Sequence, residues 1–91
     1  MTVTQRWDLA TGALYLRLAE GQAARTAEIS DDVNVDLDGH GRVLGIELLA
    51  PGQPWPLLRI FRDYPVAEAD QYALIAGYPF VPCSVEVARS P

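Results

Sequence analysis

Apolar and polar positions alternate with a period of two through residues 3–49 and recur at helical spacing through residues 51–77, so the pattern predicts strands first and helices second. Leu14, Leu16 and Leu18 alternate with Tyr15 and Arg17, and Glu20-Gly21-Gln22-Ala23 reads as the turn into residues 25–30. A hairpin closed there sets Leu16 opposite Ala27 and Leu14 opposite Ile29, with Tyr15 opposite Glu28 and Arg17 opposite Thr26 on the polar face. Asp38-Gly39-His40-Gly41 predicts a second hairpin, which pairs Val35 with Leu44 and Val33 with Ile46 and turns Asn34, Asp36 and Glu47 away. With Val3, Gln5 and Trp7 as a first strand, the half reads as an antiparallel β-meander of about five strands with one apolar face.

That face needs a cover, and the second half supplies it. Leu57, Ile60, Phe61 and Tyr64 fall at i, i+3, i+4 and i+7 behind Pro56, with Arg59, Arg62 and Asp63 turned to water. A second helix is expected over residues 66–76, with Ala69, Tyr72, Ala73 and Ala76 inward and Gly77 as its stop. Cys83, Val85 and Val87 alternate with Ser84 and Glu86, which predicts a last strand at an edge of the sheet behind Pro82. The join at residues 50–56 carries Pro51, Gly52, Pro54 and Pro56, too short a break for an interdomain linker. The expected fold is therefore a single α+β domain over residues 1–91, an antiparallel sheet of five or six strands with short C-terminal helices on one face.

Composition narrows the function classes. The 91 residues carry 7 Lys+Arg against 12 Asp+Glu, a formal net charge of −5, which is the wrong sign for neutralising phosphates. All the cations are arginines, so neither a Walker A lysine nor a Schiff-base lysine exists. One cysteine and one histidine, Cys83 and His40, allow neither an internal disulfide nor a Cys/His zinc site, and fit a reducing cytoplasm. No signal-like segment and no membrane span is expected.

Candidate chemistry is sparse. Glu28, Asp31, Asp32, Asp36 and Asp38 lie close together in sequence without an intervening basic residue. Asn34 to Gly39 imitates the start of a calcium loop, but the twelfth position is Gly45 where a glutamate is needed, so the run reads as a solvated strand face that also suits a basic partner. Arg17 is expected to pair across strands with Glu28 beside Tyr15. His40 reads as an exposed turn residue, and Cys83 as a small buried hydrophobe. No catalytic, cofactor or metal set converges.

Two blocks carry a family resemblance. Trp7-Asp8-Leu9-Ala10-Thr11-Gly12-Ala13-Leu14-Tyr15-Leu16-Arg17-Leu18 and the stretch from Ile29 through Asp38-Gly39-His40-Gly41 to Val43-Leu44-Gly45-Ile46-Glu47 resemble the two signatures of the YuzE-like family, a domain of unknown function in small bacterial proteins. Leu9 stands where that family usually has proline, and residues 51–91 extend beyond its core. The resemblance covers residues 3–50 and implies a small bacterial, β-rich, cytoplasmic domain without an assigned reaction.

The expectation is a non-enzymatic protein–protein interaction or oligomerisation module, a homodimer or the neutralising partner in a two-gene toxin-like system, with no nucleic-acid or membrane partner. Asp36 and Asp38 on the acidic stretch, the aromatic Trp55, Phe61 and Tyr64, and Val85 on the last strand are its candidate partner-binding residues. The alternative is a small-molecule binder or minor enzyme with a pocket between sheet and helices, using Arg17, Glu28 and Tyr15 or His40.

Overall fold

A computed structural model describes residues 3–78. It is an α+β fold: a five-stranded antiparallel sheet of β1 (Thr4–Trp7), β2 (Leu14–Arg17), β3 (Arg25–Ser30), β4 (Val33–Leu37) and β5 (Val43–Leu48), followed by helices α1 (Leu57–Asp63) and α2 (Glu68–Gly77). The expected strand over residues 83–87, with Val85 and Cys83, lies outside the described residues.

The strand order is β1-β2-β5-β4-β3, which corrects the expected sequential meander. Strand β2 pairs with β5, setting Leu16 beside Ile46 and Leu14 beside Leu48, so the proposed register of Leu16 with Ala27 and Leu14 with Ile29 does not form. The reason is burial. In β5 only Glu47 is more than marginally exposed, whereas β3 is largely exposed, and the most apolar strand gains most from a central place while the polar one is tolerated at an edge. The segment between β2 and β3 crosses the ends of β5 and β4: Leu18 and Ala19 both donate to the Leu44 carbonyl, and Ala24 donates to that of Leu37. Strands β2 to β5 form a Greek-key arrangement.

The β4–β5 hairpin forms as expected but in another register. Val35 faces Ile46 and Val33 faces Leu48, two residues away from the expected pairs. Asp38 and Arg42 close the turn, leaving three residues between them, of which Gly41 takes φ +80; an irregularity between Asp36 and Leu37 supplies the rest of the shift. A shift of two preserves the faces, so Val33, Val35 and Leu37 still point to the core while Asn34 and Asp36 point away.

Helix α1 covers the apolar face through buried Leu57 and Ile60, with Phe61 and Tyr64 packed at the margin of the core. Trp55, just before α1, is only 3% exposed. These three aromatics therefore roof the sheet, and Trp55 is closed off from any partner. Helix α2 forms as expected but turns a different stripe inward: Asp70 and Leu74 are buried, whereas Ala69, Tyr72, Ala73 and Ala76 are exposed. Alanine side chains have little area to bury, so Leu74, fully buried in the core and followed at i+4 by the partly buried Tyr78, decides the helix rotation.

Truncating Ile60 to alanine is expected to destabilise the domain by about 2–5 kcal/mol, since the side chain is fully buried between α1 and the sheet. Tyr72→Ala, at a position 67% exposed, is expected to change stability by less than about 0.5 kcal/mol in the same denaturant titration.

Candidate functional site

The face of the sheet opposite the helices carries two rows of polar side chains, set by strand register. One row runs Arg6, Tyr15, Glu47, Asn34 and Glu28 across β1, β2, β5, β4 and β3. The next runs Thr4, Arg17, Gly45, Asp36 and Thr26. The expected pair of Arg17 with Glu28 is ruled out by this order, because β5 and β4 lie between their strands. Arg17 instead donates to the Ala19 carbonyl at 3.4 Å.

Gly45 makes the centre of this face. Its missing side chain leaves a notch occupied by the Tyr15 ring, which a Cβ at residue 45 would overlap. Lying across Gly45, Tyr15 reaches β4 and donates its hydroxyl to Asp36 Oδ2 at 2.9 Å, while Thr26 donates to Asp36 Oδ1 at 2.7 Å. Beside them, Asn34 donates to Glu47 Oε1 at 3.2 Å. The guanidinium carbons of Arg6 and Arg17 lie 5.6 and 5.8 Å from the Tyr15 ring centre, within cation–π range. One tyrosine thus links four strands on a surface that no other element covers among the described residues.

The environment of Tyr15 raises its phenol from 10.0 to about 12. Partial burial is the main cause, followed by the hydrogen bond to Asp36 and that carboxylate's charge; Arg17 and Arg6 oppose it. The hydroxyl donates to Asp36 and so ties β2 to β4.

Next to this network, the β1–β2 turn forms one wall of a cleft of about 400 Å³ lined by Arg6, Trp7, Asp8, Leu9, Tyr15 and Glu47 among others. The turn is shaped locally: Asp8 N–H donates to the Ala13 carbonyl, Gly12 N–H to that of Asp8, and Ala10 N–H to Asp8 Oδ1. It presents Leu9 at 95% exposure and Trp7 at 52%. Trp7, read in the sequence only as a strand residue, is the exposed aromatic of the site. Its signal was present: it belongs to the alternation of an edge strand whose apolar side receives little cover.

The remaining candidates are dispersed. Asp31 and Asp32 lie in the turn before β4 and Asp38 in the turn after it, so the acidic run occupies both ends of that strand rather than one surface. Asp38 accepts the backbone N–H groups of Arg42 and His40 at 2.9 Å each and pairs with the Arg42 side chain at 3.1 Å. The Arg42 N–H is the main cause that holds this carboxylate below the usual range. His40 is an exposed turn residue. Arg17, Tyr15, Glu28 and His40 lie on the open face or in that turn, not between sheet and helices as the small-molecule alternative required. Among the described residues no group of three or more His, Cys, Asp or Glu is placed to hold a metal, and no helix is long and apolar enough to cross a membrane.

Residues 6–50, which comprise all but the outer end of the sheet, match a family model described as a protein of unknown function, DUF2283. Neither the curated proteins nor the solved structures contain a significant match to this chain.

Gly45→Ala is expected to expel the Tyr15 ring and to destabilise the fold by about 1–3 kcal/mol. In a Tyr15→Ala background the same substitution is expected to cost much less, a coupling that denaturation of the four variants measures. The folded state holds the Tyr15 proton more tightly than the unfolded chain, so the stability it contributes is complete below about pH 10 and lost as pH rises through about 12. Ultraviolet titration is expected to show a tyrosinate step near pH 12 that Tyr15→Phe removes.

Proposed function

We propose that this chain is a non-enzymatic interaction module that receives a protein partner, or a second copy of itself, at the cleft beside β1. The observation that carries the reading is the grouping of Trp7, Arg6 and Tyr15 around one cleft with Leu9 exposed at its rim. Tryptophan, tyrosine and arginine are the side chains that most often dominate association energy, because each combines a large apolar contact with a directional polar group. Tyr15 is also held in place before any partner arrives, by the notch at Gly45 and the bond to Asp36, which reduces the ordering cost of association.

Asp36 and Asp38 enter this reading in supporting roles, one fixing Tyr15 and the other fixing the β4–β5 turn. Steering of a basic partner falls to exposed Glu28 and to Asp31 and Asp32, in keeping with the net charge of −5. Such a module suits the acidic, neutralising member of a two-gene system. We further take the match over residues 6–50 to mark a YuzE-like bacterial domain working in the cytoplasm, where a chain with one cysteine needs no oxidising compartment.

The test is association measured by native mass spectrometry and light scattering. Trp7→Ala and Arg6→Ala are each expected to weaken the complex by about 2 kcal/mol, roughly thirtyfold. Tyr72→Ala, on the exposed side of α2, is expected to leave it unchanged, and Glu28→Lys to slow association and reduce its salt dependence. A protein that stays monomeric and partnerless, or a complex indifferent to Trp7 and Arg6, overturns the proposal.

A further inference from the structure

On the opposite side of the sheet, where the connection between α1 and α2 meets the ends of β2 and β5, lies a second, smaller cleft of about 180 Å³. Its walls include Leu18, Val43, Pro65 and Val66, with Arg42 at the margin and Asp70 at its inner side. Asp70 is 4% exposed, the buried charged side chain among the described residues, and its Oδ1 has no hydrogen-bond partner. Buried carboxylate oxygens are almost always satisfied, because leaving one bare forfeits its hydration without return. Asp70 stands in the first turn of α2, where the helix dipole favours a negative charge. The nearby Arg42 directs its Nε to Asp38 at 3.1 Å, and among the described residues no group bonds the Asp70 Oδ1 that borders the cleft.

We propose that this cleft binds an ammonium group on a short alkyl stem, with the ammonium donating to Asp70 Oδ1. The chemistry follows from the lining. The orphan oxygen requires a donor, its charge favours a cationic one, and the aliphatic walls reward an alkyl stem rather than further polar atoms. The volume is about six times the ~30 Å³ share of one water, enough for a group of this size. Water alone is a poor occupant, since it needs two to four polar partners and most of these walls supply none. Two sources share this chemistry, a free small amine and a lysine side chain of a peptide.

The full chain, labelled with ¹⁵N, is titrated with n-butylammonium chloride, with n-butanol and with Nα-acetyl-lysine methylamide at constant ionic strength. Expected are saturable shifts centred on Leu18, Val43, Val66 and Asp70 with the ammonium, none that saturate with the alcohol, and at least a tenfold loss of affinity in Asp70→Asn. Tighter binding of the lysine derivative than of butylammonium assigns the site to a lysine side chain; weaker binding assigns it to a free amine. Absence of saturation by either cation, or equal binding of the alcohol, overturns the proposal. If Asp70→Asn does not fold, the comparison of ammonium with alcohol on the unaltered protein decides alone. Trp7→Ala is expected to bind the ammonium normally, which separates this site from the cleft beside β1.

Discussion

The architecture depends on the central position of β5. A strand reading Val-Leu-Gly-Ile-Glu-Leu has too much apolar surface for an edge, so it is enclosed by β2 and β4 and roofed by α1 on one side. Enclosing it requires β2 to skip its sequence neighbour. The chain therefore crosses over the sheet and lays β3, its more polar strand, on the far edge. Helix cover, crossover and the polar outer face all follow from that placement.

The same placement makes Gly45 useful. An absent side chain at the centre of an open sheet face would ordinarily be a packing loss, but here it admits an aromatic ring that bridges from β2 to β4. The hydrogen bonds of Tyr15 and Thr26 to Asp36, each worth about 0.5–1.5 kcal/mol net, bind the strands across a surface that no other element covers among the described residues. Among the described residues the outer face is consequently ordered without being buried. On it Tyr15 and Thr26 are engaged with Asp36 and Asn34 with Glu47, while Trp7 and Leu9 stand exposed at and beside the β1–β2 turn.

On the inner side the polar satisfaction is less complete. Trp55 Nε1 and Asp70 Oδ1 are both buried without partners. The two differ in setting: Trp55 belongs to the continuous apolar core, whereas Asp70 borders a cleft. A missing partner inside close-packed core is a stability cost, while an oxygen that borders a cleft stays within reach of a donor from outside the chain.

Much of this was legible in the chain itself. Period-two alternation located the strands and assigned inner and outer faces, the Asp38–Gly41 turn located the β4–β5 hairpin, and the spacing of Leu57, Ile60, Phe61 and Tyr64 located α1 and its buried side. These features are local, set by backbone geometry within a few residues. Strand order, the register of β2, the rotation of α2 and the convergence of Arg6, Tyr15, Gly45 and Asp36 were not legible, because each compares the burial of segments far apart in sequence. Alternation says which side of a strand is apolar and is silent on which strand lies beside it. By itself the sequence determined a two-faced sheet with a helical cover. Only the tertiary structure decided that β5 takes the centre, and with it which polar groups meet on the open face.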